Sequence, residues 1–210
     1  MQAQVLGTAP RQVFAESPQV LTEVLHDGIN LAVWQRRLPA QIEDFVALLL
    51  NLEQPLAEER VIEVDEAYPL VLQGMLAGVV DLLGYESFVA DVAWLVDAYA
   101  CLLGARRVGL RLRILEGAMC PRFHVDHVPV RLLTTYAGCG SEWLEEGVVD
   151  RARLAQVEPP VDNIRQLQTG AVAVLKGEKW LGNEGAGLIH RSPSPRAGER
   201  RLLLSLDWLA

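Results

Sequence analysis

The sequence is poor in the residues that crosslink small domains or build large metal clusters. It has three cysteines, Cys101, Cys120 and Cys139, and no Cys-x-x-Cys pair in 210 residues. An odd count at irregular spacing favours buried free thiols in an intracellular protein over a disulfide scaffold. Histidine is almost as scarce, with four residues, so a site that uses imidazole has few candidates.

Excess positive charge and long apolar segments are also absent. Nineteen basic residues against 27 acidic ones give a formal charge of −8, which argues against nucleic acid or an anionic membrane as a partner. The longest apolar run, residues 68–83, is interrupted by Pro69, Gln73 and Asp81 and is too polar to span a bilayer. The first twelve residues show no basic stretch followed by an apolar one, which predicts no secretory signal. We therefore expect a cytoplasmic protein that acts on a small molecule or another protein.

Several common catalytic motifs are missing as well. The sequence contains no Gly-x-Gly-x-x-Gly after a strand, no phosphate-binding Gly-x-x-x-x-Gly-Lys-Ser/Thr loop and no Gly-x-Ser-x-Gly turn. Dinucleotide binding, nucleotide hydrolysis and serine hydrolysis are accordingly disfavoured. What is present is enough apolar sequence, half of all residues, to build the core of one domain.

The spacing of the apolar residues divides the chain near residue 105. The first half shows helical spacing in residues 42–50, 70–83 and 88–99, with strands expected at Asn30–Trp34 and Arg60–Val64. The second half predicts strands at residues 108–115, 130–136, 171–177, 187–192 and 201–207. We predict one α+β domain over residues 1–210, with a mainly helical half (1–105) packed on a β half (106–210). Residues 141–168 fit either a functional loop or a surface excursion with a short helix near residues 149–155.

The segment CPRFHVDHVPVRLLTTY contains a His-x-Asp pair before an apolar strand. Residues two apart on an extended chain share a side, so His124 and Asp126 face one space and His127 faces away. A third ligand must come from His26 or His190, and His190 also lies in an extended segment. Two histidines and one carboxylate suit a divalent ion, iron or zinc. Alternatives are an ordinary polar loop and a mixed zinc site that uses Cys120 or Cys139.

The order of five blocks resembles the double-stranded β-helix, a jelly-roll or cupin-like barrel, of Fe(II)- and 2-oxoglutarate-dependent oxygenases. These blocks are HVD (124–126), RLLTTY (131–136), GAVAVLKG (170–177), GLIHRSP (187–193) and GERRLLLSL (198–206). The resemblance implies that His124, Asp126 and His190 bind one divalent metal, with Fe(II) favoured and Zn(II) as the alternative. It also implies 2-oxoglutarate as a co-substrate.

The same resemblance implies a basic residue, about ten positions after the distal histidine, that binds the far carboxylate of 2-oxoglutarate. Arg201 and Arg200 both have this spacing from His190, and Lys176 is the runner-up. Arg201 is preferred because Ser205 shares its side of the strand, whereas the side of Arg200 carries leucines. A guanidinium matches a carboxylate with two parallel hydrogen bonds, which suits arginine to this role.

The blocks CPRFHVDHVPVRLLTTYAGCGSEWL, VAVLKGE, GLIHRSP and RRLLLSLD also resemble the bacterial family known as domain of unknown function 1826. This resemblance implies a metal site and a link to genes for metal-handling GTPases and zinc-responsive regulation. The leading expectation is thus an Fe(II)- and 2-oxoglutarate-dependent dioxygenase. The alternatives are a zinc-binding accessory protein in metal homeostasis, without redox chemistry, and an inactive barrel that serves as a scaffold.

Overall fold

The computed structural model describes residues 9–65, 67–154 and 156–209, and more of these residues lie in β-strands than in helices. Its two α-helices are α1 (Ala40–Asn51) and α2 (Tyr85–Leu103). Its strands are β1 (Arg11–Ala15), β2 (Ile29–Trp34), β3 (Ala57–Glu63), β4 (Arg107–Leu115), β5 (Val130–Ala137), β6 (Glu142–Leu144), β7 (Ile164–Gln166), β8 (Val172–Lys176), β9 (Ile189–Arg191) and β10 (Arg201–Leu209). Short 3-10 helices cover Pro18–Leu25, Ala77–Val79, Arg151–Arg153 and Val161–Asn163.

The strands form two sheets. The large sheet has seven strands in the order β1-β2-β8-β5-β10-β4-β3, and the small sheet has three in the order β7-β6-β9. All neighbours pair antiparallel except β1 and β2, which are parallel. The first half of the chain contributes three strands, β1 to β3, to the large sheet. Of these, β2 and β3 lie where the sequence predicts them.

The large sheet has two apolar faces because its side chains alternate along each strand. On one face, residues such as Leu132 and Val174 pack in a cluster with Phe45 of α1 and Phe88 of α2. On the opposite face, residues such as Leu133, Ala173 and Leu203 pack against Trp143 of the small sheet. This second cluster is the interior of a barrel whose walls are the two sheets.

The longer helix, α2, follows the predicted spacing closely. Its buried residues Phe88, Val92, Leu95, Val96 and Tyr99 recur every three or four positions on one face. The helix ends at Gly104, whose φ of 61° lies in the left-handed region that favours glycine at a helix C-terminus. Within the described ranges, no helix is both long and apolar enough to cross a membrane.

The helix predicted at residues 70–83 is wrong. The segment forms turns with one short 3-10 helix, and Gly74 and Leu76 both take left-handed φ values, 64° and 53°. Val71 is 69% exposed and Leu83 is 73% exposed, so their helical spacing does not reflect a buried face. Glycine in a helix interior costs about 1 kcal/mol relative to alanine, and this segment contains two glycines after a proline.

Residues 141–168 form part of the small sheet rather than a free loop. They supply β6 and β7, which pair with each other. The turns that follow β6 place Val149 against Phe123, Leu144 and Ile189 on the outer face of the small sheet. The short helix expected near residues 149–155 is a 3-10 turn at Arg151–Arg153, and Ala155 lies outside the described residues.

A buried ion pair joins α2 to the large sheet. Arg36 Nη1 donates to Asp91 Oδ1 at 2.6 Å, and Arg36 Nη2 donates to Asp91 Oδ2 at 2.9 Å. The hydroxyl of Tyr136 on β5 donates to the same carboxylate at 2.6 Å. Burial raises the pKa of Tyr136 well above its usual value, so the phenol remains a neutral donor.

Gly177 allows the loop after His-x-Asp to lie directly against the end of β8. A Cβ atom at this position would meet Val128 O at 2.2 Å and Asp126 O at 2.5 Å. Because backbone atoms cannot move as a flexible side chain can, we expect Gly177→Ala to lower the free energy of unfolding by about 1–3 kcal/mol. Urea denaturation measures this change. Gly78→Ala is the control, since a Cβ there meets nothing within 4 Å; equal effects of the two substitutions would contradict the account.

Candidate metal centre

Backbone pairing brings the two candidate histidine ligands together. His124 N donates to His190 O, and His190 N donates to His124 O, both at 3.0 Å, as in an isolated antiparallel bridge. On its other side, His190 pairs with Trp143 of β6. Side chains of directly paired residues project to the same face of a sheet, and the two imidazole centroids lie 4.6 Å apart.

Asp126 completes a group of three. Its Oδ1 lies 3.7 Å from His124 Nε2, and its Oδ2 lies 3.5 Å from His190 Nε2. Metal–ligand bonds of about 2.1 Å place adjacent ligand atoms about 3 Å apart, so a small contraction would form a metal site. In the part of the chain that the structure describes, these are the only three His, Cys, Asp or Glu side chains grouped closely enough to hold an ion.

Both imidazoles have a defined tautomer. His124 Nδ1 lies 3.0 Å from Arg122 O, and His190 Nδ1 lies 3.1 Å from Leu188 O. A carbonyl oxygen only accepts hydrogen bonds, so each Nδ1 carries a proton and each Nε2 is the nitrogen that would bind a metal. Burial lowers the pKa of His190, which favours the neutral imidazole that a metal requires.

Charged side chains inside the barrel support Asp126. Arg131 Nη1 donates to Asp126 Oδ2 at 2.7 Å, while Arg131 Nε donates to Asp207 Oδ1 at 2.6 Å. Asp207 also accepts from Arg111 Nη1 at 2.6 Å. From the sequence, Arg131 could face the pocket but is more typical of a solvated strand edge, and Asp207 and Arg111 have no predicted role in the site. The alternation of β5 and β10 carried the available signal, because Arg131 shares a strand side with Thr135, and Asp207 shares one with Arg201.

Arg201 occupies a second polar position in the barrel and is only 4% exposed. Its guanidinium donates to three hydroxyls, Ser192 Oγ at 3.1 Å, Thr135 Oγ1 at 3.0 Å and Ser141 Oγ at 2.8 Å, and its Nε has no hydrogen-bond partner. Among the described residues, no carboxylate pairs with it. Burial lowers the pKa of Arg201 to about 10, so the group is still positively charged at neutral pH. A buried cation that lacks a carboxylate partner and has a spare donor has the chemistry to bind an anion.

The other two predicted anchors lie outside the barrel interior. Arg200 donates to Leu50 O at 2.7 Å and to Gln54 O at 2.9 Å, next to the C-terminus of α1. Lys176 donates to His26 O at 2.9 Å and lies 5.0 Å from the centroid of the Trp180 ring. Lys176 shares its side of β8 with Val174, which belongs to the cluster with the helices.

The remaining histidines and the cysteines are separate from the triad. His26 and His127 are exposed. All three cysteines are free, as expected, but Cys101 and Cys120 are exposed rather than buried. Cys139 Sγ donates to Glu199 Oε1 at 3.1 Å, and this hydrogen bond raises the pKa of the thiol. No sulfur contributes to the group of possible ligands found in the described residues.

The chain resembles several solved structures at low sequence identity. The dioxygenase for auxin oxidation of rice is 14% identical, with a TM-score of 0.54 over 97% of this chain and 83% of that one. Dioxygenase for auxin oxidation 1 of Arabidopsis thaliana, solved with 2-oxoglutarate, is 11% identical (TM-score 0.49, 97% and 93% covered). A prolyl-4-hydroxylase of Pseudomonas putida is 12% identical (TM-score 0.48, 90% and 96% covered). The rice comparison confirms the double-stranded β-helix fold predicted from the sequence.

Sequence comparison places the chain in one family. No curated protein sequence matches it. The family model described as "Protein of unknown function (DUF1826)" matches residues 15–207, which include both helices, strands β2 to β9, the triad and Arg201. The chain belongs to the DUF1826 family.

Proposed function

We propose that this protein is an Fe(II)- and 2-oxoglutarate-dependent oxygenase. The observation that carries the proposal is the position of the uncompensated Arg201 beside the His124–Asp126–His190 triad in one barrel. His190 and Ser192 are two residues apart on an extended segment, so their side chains share one side. Because Arg201 donates to Ser192, its guanidinium lies on the same side of the barrel wall as the His190 ligand.

The side chains of the site match the requirements of that chemistry. Two neutral imidazoles and one carboxylate suit Fe(II) and leave coordination positions open for a keto acid and dioxygen. Bound there, Fe(II) would supply the electrons that activate dioxygen. The net reaction converts 2-oxoglutarate to succinate and CO₂, with one oxygen atom entering succinate and the other entering the substrate.

This chain's own residues would orient the keto acid. The Arg201 guanidinium, helped by the hydroxyls of Thr135 and Ser141, would bind the far carboxylate, so that the keto group faces the triad. Leu133, Leu203 and Trp143 make the adjacent interior apolar, which excludes water from the space between the two polar positions.

The donor set also bears on the zinc alternative. Structural zinc sites are usually closed by four protein ligands that include cysteine, whereas this group has three ligands and no thiolate. The donor set thus differs from that of a structural zinc site. A zinc-binding accessory role and an inactive scaffold stay as predictions, which the metal-binding and turnover experiment described next also tests.

Metal binding and keto-acid turnover give the primary test. Protein purified without oxygen should bind one equivalent of Fe(II). Once oxygen is admitted, it should release labelled CO₂ from 2-oxoglutarate that carries the label in the carboxylate next to the keto group. His124→Ala and His190→Ala should each weaken metal binding more than about a hundredfold, because each removes a metal ligand. Loss of a residue that only hydrogen-bonds to a ligand costs roughly ten- to hundredfold. His127→Ala is the matched control and should bind as the unmodified protein does. Tight zinc binding without turnover would overturn the proposal.

A second test concerns the binding of 2-oxoglutarate at Arg201. The measurement is the shift in melting temperature that 2-oxoglutarate causes when Mn(II) is present. Arg201→Met should weaken 2-oxoglutarate binding by roughly 2–5 kcal/mol, since it removes the buried partner of a carboxylate. Arg200→Met is the control and should keep the shift, because Arg200 binds backbone carbonyls outside the barrel. If Arg200→Met abolished the shift and Arg201→Met did not, the assignment of the anchor would be wrong.

A further inference from the structure

The geometry points to Arg131 as a positioning residue that fixes Asp126 as a one-oxygen ligand and is itself held by Asp207. This inference rests on the proposed metal site. Arg131 donates one N–H to Asp126 and two to Asp207, at 2.7 Å for the first and at 2.6 and 3.2 Å for the others. The side chains of Arg131, Asp126 and Asp207 are 20%, 10% and 7% exposed, so water competes little for these bonds.

Strand register explains how the three side chains meet. Arg131 lies directly opposite Asp207 where β5 pairs with β10. Arg131 is also five residues after Asp126, just beyond the loop that joins the His-x-Asp segment to β5. The guanidinium thus links a loop residue, Asp126, to the central strands of the large sheet.

The hydrogen bond from Arg131 makes the two carboxylate oxygens of Asp126 unequal. Each oxygen lies near one histidine, Oδ1 at 3.7 Å from His124 Nε2 and Oδ2 at 3.5 Å from His190 Nε2, but Oδ2 already accepts from Arg131. Among the described residues Oδ1 accepts no side-chain hydrogen bond, so it is the oxygen with both lone pairs available to a metal. Carboxylates bind metals through one oxygen or through both. Coordination through Oδ1 alone would leave three positions of an octahedral ion open, one more than coordination through both oxygens.

Arginine is suited to this task by shape and not by charge. Its planar fork donates to two carboxylates in fixed directions, which the single ammonium of lysine cannot do. The positive charge itself repels a metal cation. With Arg111 on Asp207, the group contains two guanidiniums and two carboxylates, so its formal charge is zero.

Positioning and simple electrostatics therefore predict different results for the two Arg131 substitutions, whereas both predict weaker binding for Asp207→Asn. If only charge mattered, Arg131→Gln would strengthen metal binding, Asp207→Asn would weaken it and Arg131→Lys would leave it unchanged. If Arg131 positions Asp126, all three substitutions should weaken binding by about ten- to a hundredfold, the usual cost of losing an outer-shell partner of a ligand.

The experiment is a titration of the purified full chain with Co(II), followed by its d–d absorption, together with the melting temperature of the metal-free protein. Arg36→Gln is the control, because it breaks a buried bidentate ion pair with Asp91 that is remote from the triad. It should lower the melting temperature and leave Co(II) affinity unchanged. Should Arg131→Gln not fold, Arg131→Lys carries the comparison, because charge alone predicts unchanged binding and positioning predicts weaker binding.

Three outcomes separate the claims. Co(II) binding by the Arg131 variants that equals or exceeds that of the unmodified protein would overturn the role of Arg131 alone. Co(II) binding by the unmodified protein without turnover of 2-oxoglutarate would overturn the proposed function alone. A failure of the unmodified protein to bind Co(II) would overturn both.

Discussion

The two backbone hydrogen bonds between His124 and His190 are the contact on which the candidate site depends. They join segments that are distant in sequence and place two imidazoles on one face of the small sheet. The neighbouring positions then follow from strand geometry. Asp126 comes two residues after one histidine, and Ser192, the partner of Arg201, comes two residues after the other. One bridge thus sets the spacing of both the triad and the anion site.

The barrel interior combines one neutral charge cluster with one unpaired cation. Around Asp126, the guanidiniums of Arg131 and Arg111 and the carboxylate of Asp207 form a continuous chain of ion pairs. The hydrogen-bond acceptors of Arg201 are all hydroxyls, and its guanidinium has no carboxylate partner among the described residues. Buried charge is costly unless it is compensated, and this difference explains why the first group suits a supporting role and the second suits binding an anion.

Local features of the strands were readable from the sequence. Short apolar runs bounded by glycine and proline predicted the strands of the second half, and the alternation of side chains predicted the shared side of His124 and Asp126. The preference for Arg201 over Arg200 came from the same rule, since adjacent residues on a strand face opposite sides. The structure places Arg201 in the barrel and Arg200 against the end of α1.

Features set by long-range pairing were not readable. The contact of Arg131 with Asp207 depends on which strands are neighbours and in which register, and one sequence does not specify either. The helix predicted at residues 70–83 failed because apolar spacing matched a helix while Pro69, Gly74 and Gly78 disfavoured it. The role of residues 141–168 was open because β6 and β7 are only three residues long and carry almost no alternating pattern.

A crystal structure of the protein with Fe(II) and an unreactive keto-acid analogue, grown without oxygen, tests the central claim most directly. Anomalous scattering at the iron edge should give one peak, bonded to His124 Nε2, His190 Nε2 and one oxygen of Asp126. The far carboxylate of the analogue should accept hydrogen bonds from Arg201. An iron peak at any other position, or a carboxylate bound at Arg200 or Lys176, would contradict the account.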